Sequence, residues 1–530
     1  MRSTLARPLA ILAALVLVVA ACSDDDTDDA TEPLDQTTTS TTSDPDDDPE
    51  VGGITEATDD RSSWTPEQAR AVRLDDDTTI PLIDPTLADD RVIDDLWLWD
   101  WWPVRDRDGE VADFDGWQVA IALSAPSDVL PGKRHDIATH RYLITDDGGV
   151  TWQDGGDLFA DSEPLGSRQW AGSAMYDDAT GELFAFYTAA GEAGEEIDVS
   201  PADETTATSE PDAGETTTTT ADDAQGAAQD DGPDAGETTT TTGTDETEGD
   251  ETATSTPALS PSGGELAEGI SYEQRMAVAS ATIEVTDDGI SFTDWSEHTI
   301  ILEGDDELYA STAGTTGGAG SIDAFRDPWF YRDPATDAEY LLFTATLVDD
   351  ESECDADGVV GIAELASEDL TDWELLPPLF DADCVNKELE RPFIVNQGDA
   401  YYLMFTTHSH TFAPEFTDAP EGLYGFVADD LFGDYEPLNE GGLVLGNPAD
   451  DPYQAYSWMA LPDGQVLSFF QYFGLEAGQG LDYIGSQSPE LQIESFGGTF
   501  APTIVIELDG ATTSILDELG PGQMVVDAAS

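Results

Sequence analysis

The chain has 530 residues and a formal net charge of −97, from 114 acidic against 17 basic side chains, and only Lys133 and Lys387 are lysines. Such a charge repels nucleic acid and anionic membrane surfaces, which excludes both as recognition targets. It also drives a compact state apart unless salt screens it, so the composition points to work in high salt, while the Trp, Tyr, Phe, Val, Ile and Leu content argues against wholesale disorder.

At the N-terminus, Arg2 and Arg7 precede the apolar run LAILAALVLVVAAC, which ends in small residues and reads as a signal peptide over 1–21. The run is too short for a convincing spanning helix. Val19-Ala20-Ala21-Cys22 resembles a bacterial lipobox, with Cys22 as the lipidated residue; an ordinary secretory signal is the other reading. The expected location is therefore extracellular, either anchored in the membrane at the cell surface as a lipoprotein or secreted. Residues 22–64 are rich in Asp, Thr and Ser and lack hydrophobic periodicity, so they read as a disordered acidic tether. The remainder, 65–530, reads as one folded domain interrupted at 193–264 by a Thr/Asp/Glu-rich insert, in which PDAGETTTTT occurs at 211–220 and again at 233–242. Such a segment cannot build a core and is expected to leave the scaffold as a disordered surface loop.

Within the folded part, WQVAIALSA, HRYLITDDGGVTW, GELFAFYTAAG, AEYLLFTATL, AYYLMFTTH, GLYGFVADD and GQVLSFFQYFG are β-branched and aromatic runs ending in Gly, Asp or Pro. They read as short strands, and amphipathic helical windows are scarce. The fold class is all-β. The recurring unit of aromatic strand, acidic turn and strand suggests a β-propeller, although a sandwich or jelly roll gives the same local signals.

Three settings carry carboxylates suited to chemistry. In LWLWDWWPVRDRDG, four tryptophans crowd Asp100; this is either a buried strand end with a turn at Pro103 or a sugar site in which indoles stack on the ring. In AFRDPWFYRDP, Arg326-Asp327-Pro328 lies among apolar side chains, and a turn with a local ion pair is the plainer reading. In NKELERPFIV, Glu388 and Glu390 alternate before Arg391, which on a strand puts both on one face, unless the run is only a solvated strand edge. Two crowded carboxylates are expected to raise the pKa of one, as a general acid requires. A nucleophilic carboxylate with a second carboxyl as acid/base is the equipment of retaining glycoside cleavage.

The combination resembles the levansucrases and inulosucrases, glycoside hydrolase family 68. LWDWWPVRDRDGEVADFDGWQVAIAL is similar to the family's nucleophile region, and QWAGSA, QRMAVASA, FRDP, ELERP, YYLMFTTH, GLYGFVADDLFGDYEPLNEGGLVLGNP and DPYQAYSW follow in the family's order. The resemblance implies a five-bladed β-propeller with a central, funnel-shaped active-site pocket, in which Asp100 attacks the fructosyl unit of sucrose, Glu390 is acid/base and Asp327 stabilises the transition state. It further implies that Arg326, Glu388 and Arg391 line the sugar subsites, that Trp99 and Trp170 form walls, that Tyr456 contacts sugar and acid/base, and that His408 lies on the acceptor side, with His410 equally available. Sucrose, fructan and sugar acceptors are the implied partners of an enzyme expected to be a monomer; a mainly hydrolytic β-fructofuranosidase and a non-catalytic sugar-binding lipoprotein are the alternatives.

The sequence departs from the family pattern at three places. Ala171 stands where a serine usually hydrogen-bonds the nucleophile, and Trp101 and Trp329 replace smaller or polar residues, which is expected to reshape the pocket rim. Lys387 occupies the position of an acidic calcium ligand of some members, so no metal or cofactor is expected. Cys354 and Cys384 match the disulfide that other members carry in its place, as two leftover cysteines in an exported chain also suggest.

Overall fold

The computed structural model describes residues 62–525 except 196, 198, 200–269, 287–288, 316–322, 349–353, 355, 368, 417 and 476–478. The signal peptide, Cys22 and most of the tether and insert lie outside the described residues. Five antiparallel sheets follow one another along the chain. The first blade consists of Leu96–Pro103, Gln118–Pro126, Thr139–Thr145 and Gln153–Asp157. The second consists of Arg168–Asp177, Glu182–Ala190, Gln274–Thr286 and Gly289–Thr293, and the third of Phe325–Arg332, Glu339–Thr346, Gly358–Leu365 and Trp373–Asp381. The fourth is Glu390–Gln397, Ala400–Thr407 and Gly422–Ala428 with short outer strands, and the fifth is Ala455–Ala460, Gln465–Tyr472, Pro502–Asp509 and Thr512–Pro521.

The first strand of each blade packs against the first strands of its two neighbours, so the five make a closed ring around an axis. That arrangement is a five-bladed β-propeller. The inner strands are almost wholly buried on both faces, so no alternation of apolar and polar residues marks them in the sequence. The ring is tied shut at both ends of the chain. Met524 N–H donates to Gly148 O at 2.7 Å and Trp152 Nε1–H to Gly522 O at 3.2 Å, joining the C-terminus to the first blade. At the other end, Ser62–Ser63 pairs in parallel with Phe380 and Asp381 of the third blade. Trp64, wholly buried, then packs among Phe405, Phe412, Tyr424 and Phe426 of the fourth. Residues 62–64, read from sequence as the end of the tether, are thus part of the folded unit.

The insert interrupts a hairpin of the second blade. Its ends are held together by Gly191 N–H to Glu273 O at 2.9 Å and Ser271 N–H to a Glu195 carboxylate oxygen at 2.8 Å, so ordered chain extends past the expected start at 193. Cys354 and Cys384 are disulfide-bonded. No helix among the described residues is long and apolar enough to cross a membrane.

Two sequence expectations about the pocket rim are corrected. Trp101 is buried between the first and fifth blades, stacked on Phe500 at 4.1 Å, with its Nε1–H donated to Ser468 O. Trp329 is buried under the Arg105 guanidinium, 3.6 Å from its ring, and lines a cavity with residues from the C-terminal ends of the inner strands. Each fills space between blades. Trp97 likewise packs on Phe496 and donates to Val129 O, and all four indoles around Asp100 are buried.

Candidate active site

Each innermost strand breaks register once against its neighbour: between Trp99 and Trp101, Trp170 and Gly172, Arg326 and Trp329, Glu390 and Phe393, and Tyr456 and Met459. Bulges re-aim side chains and are common beside active sites. Here they turn Asp100, Asp327, Arg391 and Ser457 into left-handed backbone, with φ of 39°, 64°, 50° and 59°. Non-glycine residues in that region cost on the order of 1–3 kcal/mol each, so the surrounding structure must hold them there. Threonines on the second strands do so for Asp327 and Arg391. Thr188 accepts from Asp327 N–H and donates to Ala171 O, both at 2.9 Å. Thr344 accepts from Arg391 N–H and donates to Asp327 Oδ2, both also at 2.9 Å. In three blades the residue before the bulge is paired with such a threonine: Trp170 with Thr188, Arg326 with Thr344, Glu390 with Thr406.

The bulges gather the charges. Arg326 Nη2 donates to Glu388 Oε2 and to Glu390 Oε1, each at 2.8 Å, so one guanidinium bridges both glutamates of the E-L-E run. Tyr456 donates its hydroxyl proton to Glu390 Oε2. Arg391 donates to Trp101 O and to the Ser457 hydroxyl, and Ser457 in turn hydrogen-bonds the Asp100 carboxylate. His408 Nδ1 meets Glu421 Oε2 at 2.7 Å, its Nε2 lies 3.9 Å from Glu390 Oε2, and its ring stacks on Tyr456 at 3.7 Å. Of the two histidines the sequence left open, His408 therefore stands beside Glu390, with His410 behind it at 4.9 Å.

Burial pushes the Asp100 carboxyl up, against the pull of Arg391, Ser457 and Arg134. Burial likewise raises Asp327, to about 7, despite Arg326 and Thr344. Glu390 behaves in the opposite way to the sequence expectation. Burial would raise it, but His408, Arg326 and Tyr456 together bring it down to about 2. Crowding with Glu388 fails to raise it because Arg326 sits between the two carboxylates.

Of the residues expected at the site, Asp100, Asp327, Glu390, Arg326, Glu388, Arg391, Tyr456 and His408 are joined by these contacts. Trp99 and Trp170 are bridged to each other by His135, which lies edge-on to Trp99 at 5.5 Å and accepts from Trp170 Nε1–H through its carbonyl at 2.8 Å. Ala171 is held through its carbonyl rather than its side chain. The sequence reading missed Ser457, Arg134, His135, Glu421, Thr188 and Thr344. The threonines alone had a visible signal: FYT, LFT and MFT recur at the same place in three strands.

A family model described as levansucrase/invertase, glycoside hydrolase family 68, matches residues 54–225 and 347–525. The chain belongs to this family. The levansucrase of Zymomonas mobilis subsp. mobilis is 29% identical over 486 residues, covering 87% of this chain and 92% of that protein. The extracellular sucrase of the same organism is 28% identical over 477 residues, covering 85% and 92%. Among solved structures of the family fold, the inulosucrase from Halalkalicoccus jeotgali bound to kestose aligns with a TM-score of 0.70 at 38% identity, covering 89% of this chain and 98% of that one. The β-fructofuranosidase from Microbacterium saccharophilum K-1 aligns at 0.62 with 22% identity, covering 88% and 86%, a likeness of fold.

Proposed function

We propose that this protein is a retaining fructosyltransferase that cleaves sucrose and passes the fructosyl unit to growing fructan, to sugars or to water. The observation that carries the reading is the convergence of Asp100, Asp327 and Glu390 at the bulges of the inner strands of the first, third and fourth blades, with Arg326 spanning Glu388 and Glu390. In this reading Asp100, oriented by Ser457 and Arg391, attacks the anomeric carbon of the fructosyl unit. The bond to the glucosyl oxygen breaks, its electron pair goes to that oxygen, and Glu390 supplies the proton. The acceptor hydroxyl then attacks the fructosyl-enzyme while Glu390 takes its proton. Asp327 accepts from fructosyl hydroxyls, and its raised pKa suits a hydrogen bond that strengthens as positive charge develops on the ring. Arg326, Glu388, Arg391, Trp99 and Trp170 shape the sugar subsites, with His408 and Tyr456 on the side where acceptor replaces glucose.

The arginine-led apolar run ending at Cys22 supports export with a lipid anchor, and a net charge of −97 on every copy supports a monomer. The test is incubation of purified protein with sucrose in molar salt, with free glucose and free fructose measured separately. Glucose in excess of fructose is the expected result. Equal amounts make water the main acceptor, and neither sugar from a folded protein refutes the enzyme reading.

A further inference from the structure

On the fructosyltransferase reading, we propose that His408 and Glu421 form a buried pair that stores the proton Glu390 delivers to the departing glucosyl oxygen. Glu421 is thereby a positioning residue for the reaction.

A general acid must carry its proton when the glycosidic bond breaks. Yet Glu390 in the resting protein accepts from Arg326 and Tyr456 and faces His408, an environment built for a carboxylate. The proton must come from a neighbour. Arg326 is pinned between two glutamates and keeps its protons, and Tyr456, held well above the ordinary phenol range by burial and by Glu390, keeps its hydroxyl proton while hydrogen-bonding Glu390. His135 and His410 also face the site, but burial and neighbouring cations hold both well below the ordinary histidine range, His410 at about 3. His140 and His298, further out, are lowered to about 4. His408 alone of the five is raised. Burial opposes its charge, but Glu421, Glu390 and Glu388 outweigh that.

The geometry gives the pair a direction. Glu421, with its side chain wholly buried, stands at the start of the third strand of the fourth blade and is fixed by the Ser409 backbone N–H. His408 Nδ1–H donates to it, which fixes the ring and leaves Nε2–H on the side of Glu390 Oε2. Stacking on Tyr456, whose hydroxyl reaches the same oxygen, restrains the imidazole beside its target. The 3.9 Å gap is closed by rotation of the Glu390 carboxyl or by a sugar hydroxyl between them. The His408 Nε2–H bond breaks as an O–H bond forms on Glu390. That O–H bond breaks in turn as the glucosyl oxygen takes the proton together with the electron pair of the cleaved C–O bond. The proton taken from the acceptor in the second half returns by the same route, so the cycle is balanced.

The sign of the pH dependence follows. A raised histidine holds its proton to higher pH, so loss of the stored proton sets the alkaline limb of kcat/KM for sucrose. Replacing Glu421 by Gln removes the largest charge that raises His408. Between about pH 4 and 9, Glu421→Gln is expected to move the alkaline limb down by at least about one pH unit, and Glu421→Asp to restore most of it. Imidazole ¹⁵N spectra of the unmodified protein, simple to assign with five histidines, are expected to show His408 titrating at the same pH as that limb. An unmoved limb in Glu421→Gln, or a neutral His408 at the pH of maximal activity, overturns the proposal; if the variant fails to fold, the spectra of the unmodified protein decide it. Absence of any sucrose turnover refutes the functional reading instead, while the spectra still report whether the pair holds a proton.

Discussion

Ser457 is where the structure most changes the meaning of a residue read from sequence. Ala171 lacks the hydroxyl expected beside Asp100, which by itself threatens the tuning of that carboxylate. But Ser457, on the fifth blade, reaches Asp100 from another side while accepting from Arg391. A hydrogen bond to a charged group contributes roughly 1.5–3 kcal/mol. Ser457→Ala is therefore expected to lower kcat for sucrose about 10- to 100-fold with the larger effect on kcat than on KM, since the bond orients the attacking oxygen. Ala171→Ser, adding a hydroxyl to a carboxylate already served, should change kcat by less than about 5-fold. Steady-state kinetics on both variants checks the contrast, and a larger gain from Ala171→Ser than loss from Ser457→Ala would sink it. Ser457 was not legible in advance because its role depends on a left-handed φ of 59° at a bulge, and no side-chain pattern encodes that. Asp100 and Asp327 stood out in the sequence because each sits in an apolar aromatic setting that a surface carboxylate does not need, and Glu390 because it alternates with Glu388 between Lys387 and Arg391.

Among the elements, strands were legible wherever aromatic and β-branched residues ran together, and boundaries were lost where polar residues turned out to be paired. Ser62–Ser63 has no strand signature; it is ordered because Trp64 next to it has a four-ring socket to fill. Indole positions were legible as buried, but not which cavity each fills, because Trp99 and Trp101 flank a bulge that breaks strict alternation. The connection from the third to the fourth blade is the element that leads into Glu388 and Glu390. It is held by the Cys354–Cys384 bond, by Gly358 N–H to Asn386 O at 3.1 Å, and by backbone contact so close that a Cβ on Gly358 would lie 2.3 Å from Lys387 O. With a sequence separation of 30, the disulfide removes about 3–4 kcal/mol of loop-closure freedom from the unfolded chain. The Cys354→Ala/Cys384→Ala pair is expected to melt about 3–5 °C lower, and to lose kcat at temperatures where the fold is still intact, because the loosened connection carries Glu388 and Glu390. Thermal unfolding with parallel activity measurements tests this; an unchanged melting point, or activity lost only on global unfolding, would count against it.

At the scale of the molecule, charge and packing oppose each other. A ring of five blades buries nearly every aromatic residue, and that burial is the main source of cohesion. Against it stands the net charge of −97, part of it on exposed turns between strands: Asp146 and Asp147, Asp178, Asp305 and Asp306, Asp399, Asp429 and Asp430, Asp450. Many of these aspartates also cap their own turns, as Asp147 does by accepting from Thr151 N–H at 2.9 Å, so they cannot be neutralised without loss of local structure. Screening by ions is the remaining way to relieve the repulsion. The Debye length falls from about 10 Å at 0.1 M salt to about 3 Å at 1 M, which is shorter than the spacing of most exposed like charges on a protein this size. The melting temperature is therefore expected to rise steeply from about 0.1 to 1 M sodium chloride and to flatten above that, where screening is nearly complete. Sulfate strengthens apolar burial as well as screening charge, and glycerol does neither through ions. If charge repulsion is what chiefly limits stability, chloride and sulfate at equal ionic strength raise the melting temperature alike over the lower range, and glycerol at matched osmolality does not. A response to sulfate without one to chloride would instead make apolar burial the salt-sensitive contribution, and the acidic surface would then serve solubility rather than stability.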